Sequence, residues 1–263
     1  MQLYIEIARR SFRRAIAYRA AALAGMVTNA FFGAVRCFVY IALFSAGSSS
    51  VAGFTLQDAI SYTWLTQSLI SIGAGWLTID LSRSIYSGDV ITDLMRPWSF
   101  YGYWLSRKLG EQLFNLAIRG TFTYVIGIVT FGAVVPSWRE LAPFIFSVGM
   151  AMLLSITFSF LVNLTAFWLI DNTGVVIISN ILLGFFSGFM IPLAFFPSWL
   201  ATIAYMLPFQ AISGLPAQIF LGQITGWNLI WVLALQLFWV VVLILSALAI
   251  LQLAMRKVVI QGG

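Results

Sequence analysis

The chain has 263 residues, of which 61% are hydrophobic and 8% charged, with a net charge of +6. Soluble globular domains carry about 25% charged residues, so composition excludes that class, and 14 basic residues spread through so apolar a chain fit the cytoplasmic face of a membrane rather than nucleic acid. With no histidine and one cysteine, Cys37, the sequence excludes an intrachain disulfide, histidine-dependent triads, HExxH zinc sites and cysteine-cluster metal sites, so no catalytic, cofactor or metal site is expected on it.

The opening MQLYIEIARRSFRR is too basic and too poor in apolar residues for a cleaved signal peptide, so the N-terminus reads as mature. Across residues 3–19, helical periodicity gathers Arg9, Arg10, Arg13 and Arg14 on one face, with Glu6 nearby. Tyr4, Ile5, Ala8, Phe12, Ala15 and Ile16 fill another. This pattern predicts a helix lying in the membrane interface. The plainer alternative is a positive-inside anchor.

A helix needs about 20 apolar residues to cross the hydrocarbon core. Six such stretches lie near 20–45, 56–79, 109–134, 144–170, 174–196 and 227–254. Gly47 and Ser48 to Ser50 break the chain after the first, and Thr55 with Asp58 predicts a capping box opening the second. Pro136 and Pro143 bracket the turn between the third and fourth. Gly184 and Gly188 form a GxxxG in the fifth, which permits close helix contact within the chain or with a second subunit. Trp98, Trp104, Trp138, Trp199 and Trp227 fall near predicted ends as an interfacial belt.

Two charges lie inside the spans. Arg36 falls roughly 13 Å from the outer end of the first, at 1.5 Å per residue. Arg119 lies about two turns beyond Glu111 in the third. Intramembrane charges usually face a bundle interior or a cavity, so both residues are candidates for a translocation path. The alternatives are a structural pair or snorkelling side chains. Asp171 reads as a solvated helix end.

Residues 80–108 form the long loop between the second and third spans. Ser87 and Gly88 predict the start of a short helix that Pro97 stops. Val90, Ile91, Leu94 and Met95 give it an apolar face, and Asp89 and Asp93 a polar one. Such a helix suits docking into a groove on a soluble partner. Packing on the bilayer or on the chain's own spans is the rival, disfavoured because aspartates sit poorly against anionic lipid. After the fifth span come Pro192, Pro197, Pro208 and Pro216, with no charge from Asn172 to Met255. Residues 197–226 therefore read as short re-entrant helices dipping into the outer leaflet, their backbone covered by protein or by a water-filled cavity.

Orientation follows from lysine and arginine placement. With the N-terminus inside, eleven of the 14 basic residues are cytoplasmic: those of residues 9–19, then Arg83, Arg96, Arg107, Lys108, Arg256 and Lys257. Arg139 alone is external. Both termini are thus expected in the cytoplasm. Neither Lys108 nor Lys257 follows a GxxxxG loop, so the chain lacks a Walker A phosphate cradle. The only acidic residues in spans, Asp58 and Glu111, lie near span ends, and no inverted repeat is evident. Energy is then expected through the 80–108 loop, from a partner.

Three segments, in order, resemble the permease subunits of ABC transporters of the ABC-2 type. EIARRSFRRAIAYRAA is similar to the family's elbow helix. SGDVITDLMRPWSFYGYWLSRKLGE resembles its coupling segment, with SGD and LxRP elements. FFPSWLATIAYMLPFQAISGLPAQIF is similar to the segment before its last helix. The resemblance implies a permease without its own ATPase site, bound to two copies of an ATPase chain that carries ATP and Mg, and paired with a second permease, a different chain more than an identical copy. Ser87, Gly88, Asp89, Val90, Ile91, Asp93, Leu94, Met95 and Arg96 would then dock the ATPase, and Glu6, Arg9, Arg10, Arg13 and Arg14 would belong to the elbow.

The sequence as a whole reads as one all-α transmembrane domain over 1–263. It has six spans, an elbow helix within 1–19, a coupling helix within 80–108 and external re-entrant helices within 197–226. The implied function is export of an amphipathic or hydrophobic substrate across a bacterial plasma membrane. The main rival is an ion-coupled carrier or channel; an intramembrane enzyme and a membrane scaffold or immunity protein are the others.

Overall fold

A computed structural model describes residues 2–17, 19–46, 50–72 and 77–257, and the side chains of all of these except residues 19–22. Residues 47–49 of the predicted break at 47–50, residues 73–76 of the second predicted span and the Arg19 side chain lie outside what is described. The helices are α1 (Gln2–Ala17), α2 (Arg19–Ser45), α3 (Leu56–Ser68), α4 (Asp80–Tyr86), α5 (Val90–Leu94), α6 (Phe100–Asn115), α7 (Thr121–Phe131), α8 (Trp138–Leu164), α9 (Thr173–Phe186), α10 (Ser198–Met206), α11 (Gly214–Phe220) and α12 (Gly226–Met255). A π-helical turn, Leu116–Gly120, joins α6 to α7 without a break. Among the described residues, four stretches are long and apolar enough to cross a membrane: Leu23–Ser45, Phe100–Phe131, Trp138–Phe167 and Gly226–Met255.

Side-chain register fixes the direction of each element. α2 and α7 run the same way: Gly25 meets Arg119, and the Phe38 and Phe131 rings lie edge to face at 5.7 Å. α3 runs against both. Gln57 Nε2 donates to the Gly132 carbonyl at 3.2 Å, Trp64 packs on Gly127, and the Ser68 carbonyl lies against Gly120. α9 opposes α3 and the chain that follows it: Asn180 Oδ1 accepts from Leu77 N–H at 2.8 Å, and the Gly188 carbonyl accepts from Tyr62 O–H at 2.7 Å. α8 and α12 run together, with Ser147 beside Gln236 at one end and Leu164 clustered with Leu251 at the other.

Several predicted boundaries are corrected. The third span begins at Phe100, nine residues early, because Ser99 Oγ caps the helix by accepting from Gly102 N–H at 3.1 Å. Its first turns, FYGYWLSRK, carry too few aliphatic residues to read as a span. Pro143 lies inside α8 rather than in the preceding turn. It removes only the one bond its N–H would make to the Arg139 carbonyl. The fifth predicted span stops at Phe186, because Gly188 adopts φ +76, a left-handed helix-terminating position. Gly188 therefore ends a helix, and Gly184 has open space over its Cα, so within the chain the GxxxG is not a packing motif. The capping box at Thr55 is present in both directions.

α10 and α11 form a loop that turns inward between α9 and α12. Phe195 packs on Tyr40 and Phe54 where the loop enters, and Gly222 lies against Glu140 in the first turn of α8 where it leaves. Between them the Ala211 carbonyl reaches Gln236 Nε2 at 2.8 Å. Gln236 is fully buried, about ten residues into α12 and so roughly 15 Å along it. Its amide also exchanges bonds with the Ser147 hydroxyl and carbonyl. The turn is thus held from within by an amide that leaves none of its polar atoms orphaned.

At the other end, Asn163 of α8 ties α4 into the bundle. Its Oδ1 accepts from Ser82 N–H at 2.9 Å and from Ser82 O–H at 2.8 Å, and its Nδ2 donates to the Thr78 carbonyl at 2.8 Å. Asn172 donates to Ser82 Oγ at 2.9 Å. Asn163→Leu keeps the branching at Cγ but orphans these buried groups, so it is expected to cost about 2–3 kcal/mol. Denaturant unfolding of the purified chain measures this; an unchanged midpoint would show that Asn163 does not anchor α4.

Candidate functional site

The face of α2 that carries Gly25, Thr28, Asn29, Phe32 and Arg36 repeats at helical spacing and borders a cavity of about 870 Å³. Opposite it stand Gln67 and Ser71, Asn115 and Arg119, and Asn180, Gly184, Phe185 and Phe189. The lining is mostly apolar, with amides and hydroxyls spaced along it. Among the described residues, two guanidiniums lie in it and no carboxylate does.

Arg36 and Arg119, far apart in sequence, therefore meet in one space. Arg36 Nη1 donates to the Phe189 carbonyl at 2.9 Å, and its guanidinium lies 4.7 Å from the centre of the Phe189 ring. Tyr62 holds the neighbouring Gly188 carbonyl, so two side chains cap the C-terminal end of α9. Arg119 sits in the π turn, a feature common at functional sites. It packs on Gly25, and its Nε is buried with no partner. Among the described residues neither arginine forms an ion pair with a carboxylate. Thr28, Asn29, Gln67, Asn115 and Asn180 were not singled out from the sequence. The signal for the α2 residues was available: Thr28, Asn29 and Arg36 are polar positions on one face of an apolar span.

The 80–108 segment is mostly helical. Ser87 and Gly88 do not start a helix, as predicted, but end α4. Gly88, at φ +80, turns the chain, and Ser87 O–H donates to Asp89 Oδ2 at 2.6 Å. α5 begins after Asp89. Its Val90 is buried against Leu81, Phe100 and Tyr101, with Ile91 and Leu94 partly buried beside it. Met95, at 81% exposure, projects outward with Arg96. Lys108 joins α4 to α6, donating to Asp80 at 2.7 Å and to Glu111 at 3.0 Å. Burial pushes the Asp80 carboxyl up, but Lys108, with Arg107 and Arg83, holds it below the usual carboxylate range. Asp171 is exposed, and hydrogen bonds to Thr173 hold its carboxyl low.

α1 lies along α6 in the same direction. Tyr4 O–H accepts from Ser99 N–H at 3.1 Å, and the Phe12 and Phe114 rings meet at 5.6 Å. Arg9, Arg10, Arg13 and Arg14 are exposed, and Glu6 accepts from Arg10 at 3.1 Å. Trp138, Trp199 and Trp227 stand exposed at the starts of α8, α10 and α12. Trp104 is buried under α5, so it is a core residue rather than part of a belt.

Apolar helices of spanning length beside a largely apolar cavity with a few polar groups are the features of a multi-pass membrane protein of permease type. The family model described as "ABC-2 family transporter protein" matches residues 31–262. The chain belongs to the ABC-2 family of transporters, as a membrane component of an ABC system. No curated protein matches it.

Proposed function

We propose that this chain is the membrane-spanning subunit of an ATP-driven exporter, and that the cavity between α2, α3, α6 and α9 is its part of the translocation path. The observation that carries this is the convergence of Arg36 and Arg119 on one largely apolar cavity. An apolar wall with a few cationic and amide groups suits an amphipathic substrate. α2, α3, α6–α7, α8, α9 and α12 alternate in direction, which supports six crossings of a bacterial plasma membrane with both termini cytoplasmic. The short α3 and α9 then cross with help from the non-helical segments that continue them.

Two copies of a soluble ATPase carrying ATP and Mg drive the cycle, and a second permease, more readily a different chain than a copy, completes the path. α4–α5 is the coupling element, with Met95 and Asp89 facing the ATPase, Arg96 turned over the Trp98 ring toward α1, and Val90, Ile91 and Leu94 fixing α5 to the permease. A push on α5 reaches α8 and α9 through Asn163, Ser82 and Asn172. α1 serves as the elbow at the cytoplasmic surface, and α10–α11 as the external re-entrant pair.

Pull-down of the tagged chain from native membranes in mild detergent tests the reading. A P-loop ATPase in one-to-one ratio with total permease supports it. A lone chain whose transport follows ion gradients without ATP would favour the carrier or channel. Met95→Asp is expected to weaken ATPase capture by about 2 kcal/mol, roughly 30-fold. The permease itself should keep its stability within about 0.5 kcal/mol, since the residue is exposed. Undiminished capture would remove Met95 from the docking surface.

A further inference from the structure

A second cleft, of about 350 Å³, opens between α1 and the chain that leads into α6. α1 lines it with Leu3, Ile7, Arg10 and Arg14, a three-and-four spacing that puts all of them on one face. Facing them are Arg96 and Trp98 from the loop, and Tyr103 and Arg107, one turn apart, from α6. Four guanidiniums thus surround one space with no carboxylate among its lining residues. The acids that approach them do so from neighbouring positions: Glu6 to Arg10 at 3.1 Å, Asp93 to Arg96 at 3.6 Å and Glu111 to Arg107 at 3.7 Å. Arg14 is in no ion pair among the described residues.

We infer that this cleft binds the phosphodiester headgroup of an anionic phospholipid, bridging α1 to the loop that carries α5. In three of the four arginines the carboxylate lies at Nε, and Arg14 has none among the described residues; planar guanidiniums match phosphate oxygens in pairs. Trp98 and Tyr103 stack with ring centres 6.1 Å apart, the pairing of aromatic and basic groups found at headgroup level. Leu3 and Ile7 add an apolar edge that a free phosphate would not use and the start of an acyl chain would. Exposed Ile5 and Ile16 on the same helix mark its outer surface as lipid-facing. The inference rests on the membrane character of the chain and not on the presence of an ATPase, so the two stand or fall separately.

Native mass spectrometry of the delipidated full chain, titrated with phosphatidylglycerol, phosphatidylcholine or inorganic phosphate, tests it. Phosphatidylglycerol should bind as one retained molecule per chain, in preference to phosphatidylcholine. R14Q/R96Q should weaken that binding by roughly 30-fold. R9Q/R13Q removes the same charge from α1 and its surface without touching the cleft, and should change binding little. Equal loss in both variants would reduce the effect to surface charge and overturn the site. Equal binding of the two lipids, or of inorganic phosphate at the same concentration, would overturn the lipid assignment. Matched thermal unfolding of the variants shows that each is folded.

Discussion

Gly127→Leu should destabilise the purified chain by about 3–5 kcal/mol, the range seen when a large aromatic loses its place in a core. Trp64 is 1% exposed and lies between two helices, with Gly127 of α7 against one side of the indole and Gly33 of α2 against the other. A side chain at 127 collides with the ring. The ring has nowhere to go, because a Cβ on Gly33 would already sit 3.2 Å from its far edge. α3 is therefore held between α2 and α7 by the absence of two side chains. The check is a denaturant titration of four proteins: parent, Gly127→Leu, Trp64→Gly (the Trp64 Cβ would itself lie 2.7 Å from a Cβ at 127) and the double variant. Space vacated by the indole should accept the leucine, so the double variant should be more stable than the sum of the singles predicts. Strict additivity would refute the packing argument.

Gly110→Val should part α1 from α6. The position faces the Ala8 carbonyl oxygen, so the new side chain would meet backbone, which no rotamer change can move aside. The neighbouring approach is also close: a Cβ on Gly102 would fall 2.9 Å from the Tyr4 ring. Overpacking of this kind costs about 1–3 kcal/mol, enough to shift a docked helix toward the detached state roughly tenfold or more. Thiol cross-linking of Phe12→Cys to Phe114→Cys with a short bifunctional reagent reads this directly. Their rings meet at 5.6 Å, and the native Cys37 is fully buried. Cross-linking should be efficient in the parent background and lost with Gly110→Val. Undiminished cross-linking would mean that α1 docks without the glycine. Loss of α1 would also dismantle the arginine cleft, since Arg10 and Arg14 supply half of its charge.

Long apolar runs, the Thr55 capping box and the proline-broken segment 197–226 were legible because each rests on local chemistry. Apolar length predicts crossing, a hydroxyl three residues before a carboxylate predicts a helix start, and prolines predict short helices. Errors came where local chemistry is ambiguous. Phe100 to Lys108 is helical because Ser99 caps it and α1 covers it, and neither is visible in its hydropathy. Val90 and Leu94 read as an outward docking face because periodicity defines a face and not what covers it. Gly188 read as half of a packing motif because its positive φ is a property of the folded chain.

What the sequence by itself determined is the class: an all-helical, net-basic membrane chain with no histidine or cysteine cluster and no nucleotide cradle, and, in its motifs, the likeness to ABC-2 permeases. Arg36 and Arg119 could be chosen as candidates from their cost in an apolar span alone. Only the tertiary structure decided that the two share one cavity with Asn29, Gln67, Asn115 and Asn180, and that Arg10 and Arg14 converge with Arg96 and Arg107. The reason is physical. Hydrophobic burial is set residue by residue and so is written into composition and period. Which side chains meet depends instead on helix register, set here by contacts between distant positions such as Gly25 with Arg119, Gly110 with Ala8 and Gly127 with Trp64.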